Sequence, residues 1–227
     1  MRTPGHDDEL AAGFLFTEAL VTNSEQIREI RRNARSRSRN VIDVFLAPEV
    51  RIDFARLTRH VFVSSSCGLC GKTSIDAVHQ HFKPVRARFA VERSGILALP
   101  AKVREAQAIF DRTGGLHAAA IFTRDGELVV LREDIGRHNA VDKVIGFGLL
   151  NDLLPFDSHV LVVSGRASFE IVQKALAARV PVVCAVSAPS SLAVEFARAS
   201  RQTLIGFLRG ERMNIYAGAQ RVTEGAA

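Results

Sequence analysis

"HVLVVSGRASFEIVQKALAARVPVVCAVSA", His159 to Ala188, contains two apolar runs of strand length with a helix-like segment between them. HVLVVSG is apolar without alternation, as a strand covered on both faces requires, and VPVVCAVSA reads as a second buried strand. SFEIVQKALAAR between them reads as a helix. Strand, helix, strand in this order indicates an α/β layer with a mostly parallel sheet.

Moving outward, the alternation continues. SSLAVEFARAS reads as a helix that Ser190 or Ser191 can cap, and TLIGFLRGERMNIYA as a closing strand interrupted by Gly210. Upstream, RHNAVDKVIGFGLL is a helix, LHAAAIFT and ELVVLRED are strands joined at Asp125 and Gly126, and PAKVREAQAIFDRTG is helix-like. The regular alternation begins after Ser94. This predicts a smaller N-terminal α+β domain over 1–95 and an α/β domain over 96–227. In the first part, HDDELAAGFLFTEAL reads as an amphipathic helix with Asp7 and Asp8 at its positive end. QIREIRR, NVIDVFLAP and RHVFVSSS are strand-like, and TSIDAVHQHF is a short helix that stops before Pro84.

The chain has 227 residues, 47% hydrophobic and 24% charged, within the range of globular proteins. No apolar run approaches the roughly 18 residues of a membrane span. Acidic residues near the N-terminus stand where a signal peptide needs an apolar core. Three cysteines, an odd number, suit a reducing cytosol, so a cytoplasmic protein is expected. The net charge is +6. Arg28, Arg31, Arg32, Arg35, Arg37 and Arg39 form one basic run, but no aromatic residues interleave for base stacking, so nucleic acid is not the expected partner.

Cys67 and Cys70 form a C-x-x-C between glycines, preceded by an apolar run and followed by the helix-like TSIDAVHQHF. Structural zinc needs four ligands, yet there is no second C-x-x-C, and His79 and His81 are closer than the usual histidine pair. Cys184, in a predicted buried strand, reads as a small core residue. Dithiol–disulfide exchange fits the local strand, C-x-x-C, helix order, but the expected preceding βαβ unit is missing. A nucleophilic thiolate on a loop also fits, since Lys72 and a helix start near Thr73 would lower a thiol pKa. Local chemistry permits a persulfide carrier without selecting it.

Three further segments suit anions. LREDIGRHNAVDKVIG gathers Glu133, Asp134, Arg137, His138, Asn139, Asp142 and Lys143 at a strand-to-helix junction, where α/β sheets bind ligands. There Asp134 could instead cap a helix and Lys143 could be solvated. Ser164-Gly165-Arg166 before a helix makes an anion cradle, the plainer reading being a tight turn capped by Ser168. Arg209 and Arg212 around Gly210 suit a pyrophosphate.

Together, MRTPGHDDELAAGFLFTEAL, SSSCGLCGK, EDIGRHNAVDKVIG, VSGRASFEIVQKA, SAPSSLAVEFA and LIGFLRGERMNIY resemble, in order and over nearly the whole chain, the formate dehydrogenase accessory sulfurtransferases, the FdhD family. The resemblance implies that a cysteine desulfurase supplies sulfur as a persulfide. The sulfur then passes to the molybdenum (or tungsten) bis-guanine-dinucleotide cofactor required by the formate dehydrogenase catalytic subunit. It matches the persulfide cysteine to Cys67 and its companion to Cys70. It matches the cofactor-binding segment to Phe207, Leu208, Arg209, Gly210, Glu211 and Arg212. Arg166, His138 and Asp134 join that site by residue type and position. A homodimer is expected, as is a further family segment ahead of MRTPG.

The implied fold is a cytidine-deaminase-like α/β/α layer domain with a smaller N-terminal domain carrying the C-x-x-C loop. Zinc deamination needs H-x-E and P-C-x-x-C. Here RHNAVD places Ala140 at the glutamate position and SGRASFE has no cysteine, so neither zinc nor deamination is expected.

Overall fold

The apolar runs of the C-terminal part pair into one six-stranded sheet. The computed structural model describes residues 1–33, 40–52 and 71–225, with backbone only at 71–74 and 77. In chain order the elements are α1 (Asp7–Thr17), β1 (Ile27–Arg32), β2 (Ile42–Leu46), α2 (Gly71–His81), β3 (Val91–Glu92), α3 (Arg93–Ala106) and α4 (Phe110–Thr113). There follow β4 (His117–Thr123), β5 (Leu128–Asp134), α5 (Arg137–Leu150), β6 (His159–Val163), α6 (Phe169–Ala177), β7 (Val182–Ala185), α7 (Ser191–Ala199), β8 (Thr203–Arg209), β9 (Arg212–Ala217) and β10 (Val222–Thr223). Cys67 and Cys70 lie outside the described residues, as do Arg35, Arg37, Arg39 and the predicted strand RHVFVSSS.

The sheet order is β5-β4-β6-β7-β8-β9. β6, β7 and β8 run parallel, joined by the crossover helices α6 and α7. β4 is antiparallel to both β5 and β6, and β9 is antiparallel to β8. The sheet is therefore mixed rather than mostly parallel. Hairpins at both edges need only short turns, and the strand-like composition that marks them carries no direction. TLIGFLRGERMNIYA is correspondingly not one interrupted strand. It folds back at Gly210 and Glu211 into β8 and β9, with Gly210 at φ +52°.

Period-two alternation divides the core into two faces. Ala119, Ile121, Leu161, Val163, Val183, Ala185 and Leu204 pack with Val141, Val144, Ile171, Val172 and Phe196 from α5, α6 and α7. Ala118, Ala120, Phe122, Val160, Val162, Val182, Cys184 and Ile205 pack with Ile96, Leu99 and Val103 of α3. Helices thus cover both faces. Cys184 is fully buried and free, and burial pushes its thiol pKa up, so it acts as a small hydrophobe.

α1 crosses α5 at closest approach where Gly13 faces the Asp142 carbonyl and Gly146 faces the Glu9 carbonyl. Polar contacts around the crossing hold it. Arg132 donates to both Glu9 carboxylate oxygens, at 2.6 and 2.7 Å. Lys174 lies 2.9 Å from Asp142 and 3.3 Å from Glu18, and Thr17 donates to Asp142. The charges of Asp142 and Glu18 hold the Lys174 pKa above its ordinary value although burial works against it. Contacts between the first 95 residues and the later layer are therefore made by charged side chains as well as apolar ones.

Candidate functional site

Strand order decides which loops become neighbours. His117 opens β4 opposite Asp134 at the end of β5, and Ala119 pairs with Val163 at the end of β6. An isolated bridge joins Ala167 to Pro189, linking the loops after β6 and β7. Phe207 N–H donates to the Ser187 carbonyl, and Arg209 Nε donates to the Val186 carbonyl at 2.9 Å. The five loops therefore form one rim along the carboxyl ends of the parallel strands, the usual ligand position in open α/β sheets. Asp134, His138, Arg166 and Phe207–Arg212, far apart in sequence, all lie on this rim.

Their roles within it differ. Asp134 is fully buried and faces no crevice. Its carboxylate accepts from Thr3 N–H at 3.0 Å, Gly136 N–H at 2.9 Å and the Asn139 amide at 3.0 Å, and pairs with Lys143 at 2.7 Å. Lys143 is thus not solvated. It is 1% exposed and also donates to the Thr3 carbonyl. Asn139 reaches the Met1 carbonyl, so the first residues of the chain are tied to the β5–α5 junction. Asp134 is a positioning residue.

Burial works to raise the Asp134 pKa, but Lys143, the Gly136 N–H and Asn139 outweigh it and hold it below the ordinary carboxylate value. A group depressed in the folded state stabilises above its unfolded pKa, about 3.9, and that stability is lost as pH falls through the lower folded value. Asp134→Asn is expected to cost about 3 kcal/mol at neutral pH, as when one partner of a buried pair is removed. It should also flatten the fall in urea midpoint below about pH 4. An acid limb identical to that of the wild type would count against this.

His138 Nε2 lies 3.1 Å from Ser168 Oγ and 3.9 Å from Glu170. Ser168 is therefore not a capping side chain: it stands at the N-cap of α6 but makes no cap hydrogen bond there. Burial, then the charge of Arg137, hold the His138 pKa down, and Glu170 opposes them without prevailing. His117 sits against Gly165, where a Cβ would lie 3.1 Å from its Nδ1. Burial and the charges of Arg137 and Arg166 likewise lower its pKa. Both imidazoles are therefore biased toward their neutral form beside Arg137 and Arg166. Ala140 is fully buried in the core.

At the other end of the rim, β8 carries a bulge between Gly206 and Arg209. The bulge turns Leu208 onto the Ile205 face, so Leu208 is a core residue and not a ligand contact. Phe207 takes φ +52°, a conformation uncommon for bulky residues, and the residue is 41% exposed. Gly206 permits this path, because a Cβ there would lie 2.7 Å from Pro189 Cδ. Arg209, Glu211 and Arg212 are exposed on the hairpin. His117 had no sequence signal beyond its place at a strand start. Ser168 and Glu170 could have been suspected only with the strand order known. Among the described residues no cluster of three or more metal-ligating side chains occurs.

A family profile described as "FdhD/NarQ family" matches residues 1–223. "Sulfur carrier protein FdhD" of Streptomyces coelicolor is 53% identical over 239 residues, covering 100% of this chain and 83% of that protein. The protein of the same name from Mycobacterium tuberculosis is 51% identical, covering 98% and 84%. That from Saccharolobus solfataricus is 42% identical, covering 98% and 82%. The crystal structure of a formate dehydrogenase accessory protein from Desulfotalea psychrophila superposes with a TM-score of 0.77 at 26% identity, covering 98% of this chain and 83% of that one.

Proposed function

Because the chain belongs to the FdhD/NarQ family, we propose that it is a sulfur carrier serving formate dehydrogenase, and that it does so by persulfide transfer. The observation that carries the reading is the rim: one edge of the sheet gathers Arg137, Arg166, Arg209 and Arg212 beside His117 and His138, on a chain similar along its length to named sulfur carriers. Such an edge suits the diphosphates of a bis-guanine-dinucleotide cofactor, with the exposed Phe207 ring available to a guanine face. The scaffold is read as cytidine-deaminase-like, with no zinc, and works as a cytoplasmic homodimer.

Sulfur enters when the Cys67 thiolate attacks the terminal sulfur of a cysteine desulfurase persulfide. A new S–S bond forms on Cys67, the donor S–S bond breaks, and the donor cysteine leaves as thiolate, with no net redox change. Delivery to the cofactor, which is substrate here, follows when the Cys70 thiolate attacks Cys67 Sγ. Hydrosulfide is released to the metal, and the Cys67–Cys70 disulfide left behind is reset by a cellular thiol. Sulfur is thus reduced as the two cysteines are oxidised.

The test is the intact mass of the protein after incubation with a cysteine desulfurase and cysteine, without reductant. A gain of one sulfur per chain is the expected result. No gain on folded protein beside an active desulfurase would favour a non-catalytic cofactor chaperone, whose C-x-x-C is structural or metal-binding.

A further inference from the structure

At the opposite end of β8 from the rim lies a second basic concavity. Arg201 and Gln202 precede β8, and Gly218 follows β9. β8 has seven residues, which separates the two ends by roughly 20 Å. The cavity has a volume of about 380 Å3, and its walls include Arg86, Arg198, Arg201, Gln202 and Arg221. That size falls within the roughly 300–1,000 Å3 of small-ligand pockets.

Four arginines meet there with no carboxylate in the described lining, and none of them forms an ion pair with another described residue. The backbone fixes their positions. Val85 N–H donates to the Ser200 carbonyl, which anchors the segment carrying Arg86. Arg198 donates from Nε and Nη2 to the Tyr216 carbonyl. Gly218, at φ +68°, turns the chain into the 3-10 turn that presents Arg221, and a Cβ there would lie 2.6 Å from Thr203 Oγ1.

Arg221 is the decisive residue. It is 7% exposed, yet its Nε and Nη1 have no hydrogen-bond partner among the described residues. Gln202, another residue of the lining, has its Oε1 buried and without a hydrogen-bond partner among the described residues. A buried guanidinium with unused donors is costly unless an anion meets it. Burial pulls its pKa down, and no described carboxylate pairs with it. Arginine donors in this number match phosphate oxygens, and Gln202 Oε1 can accept from a singly protonated phosphate.

We propose that this pocket binds the phosphate or diphosphate group of a small ligand, at a site separate from the rim and independent of the sulfur-carrier reading.

Calorimetric titration of the full chain with inorganic pyrophosphate tests it. Wild type is expected to bind at this pocket in addition to any binding at the rim. Arg86→Ala with Arg201→Ala removes two exposed side chains and leaves the fold intact. Binding at the pocket should weaken about a hundredfold, about tenfold for each charge-assisted hydrogen bond removed. Arg221→Met, which fills the same volume without charge, should abolish it. Arg209→Ala with Arg212→Ala should leave it in place. If instead the rim pair loses all pyrophosphate binding and the pocket pair loses none, the proposal is overturned and the rim reading stands. If the pocket behaves as expected while the rim pair binds guanosine diphosphate like wild type, the pocket stands and the rim's phosphate role falls. If pyrophosphate fails to bind and only an oligonucleotide or an acidic peptide responds to the pocket variants, the small-ligand assignment is overturned.

Discussion

Cys67→Ala is expected to take up no sulfur from a cysteine desulfurase, while Cys70→Ala retains the added sulfur and fails to release it. The two thiols differ in what they must do. The first must be an attacking thiolate at neutral pH, because the thiol form is a poor nucleophile. Its surroundings in the chain favour that state: Lys72 follows closely, and the helix α2 begins at Gly71, directly after the pair. Positive partial charge at a helix start and a cationic residue close in sequence both suit a thiolate. By contrast, Cys184 is buried in β7 with its pKa pushed up, so it offers no substitute when Cys67 is removed. Loss of loading in Cys67→Ala should therefore be complete rather than partial. Intact mass before and after addition of a thiol acceptor reads both steps. Equal loading in Cys67→Ala and wild type would remove Cys67 from the proposal. Loading in Cys70→Ala with normal release would remove the disulfide step while keeping the carrier cysteine.

Gly13→Leu is expected to destabilise the protein by about 3 kcal/mol or more, at or beyond the upper end for overpacking, because the obstruction is backbone. A Cβ at Gly13 would lie 1.8 Å from the Asp142 carbonyl oxygen, and one at Gly146 would lie 1.8 Å from the Glu9 carbonyl oxygen. Neither obstacle is the end of a flexible side chain, so α1 and α5 would have to separate. Separation also strains the Arg132–Glu9 and Lys174–Glu18 pairs and the Thr17–Asp142 bond, which leaves buried charges less well met. Even Gly13→Ala should destabilise, although alanine gains about 1 kcal/mol over glycine in helix propensity. Gly95 in α3 provides the control, since a Cβ there meets nothing within 4 Å. Gly95→Ala should be neutral or stabilising by about 0.5–1 kcal/mol. Urea unfolding of the variants decides it, and a Gly13→Ala midpoint at or above the wild-type value would refute the argument.

Much of the architecture was legible along the chain because it depends on local periodicity. The segment from Leu116 to Ser200 places strands and helices within a few residues of those found. Ser190 caps α7 by accepting from the Ala193 N–H, and Cys184 lies in the core as its apolar neighbours require. The polar junctions at Asp134–His138, Ser164–Arg166 and Phe207–Arg212 could be named as candidates because each interrupts an apolar pattern.

Sequence order could not say which of these junctions would meet. That depends on the antiparallel addition of β4, which brings His117 beside Gly165, and on the parallel pairing of β8 with β7, which carries Arg209 to the loop after β7. Nor could it separate ligand contacts from anchors. Asp134 and Lys143 look like crevice residues in the chain, yet they neutralise one another beneath the surface and hold Thr3. Leu208 looks like part of a binding segment, but one bulge residue turns it into the core. The Arg86, Arg198, Arg201 and Arg221 pocket has no signal in the sequence, because its members are scattered over separate segments. Periodicity is a property of neighbouring residues, so the chain by itself determined its elements and their buried faces. Charge pairing and crevice formation depend on contacts between distant residues, and only the tertiary structure decided those.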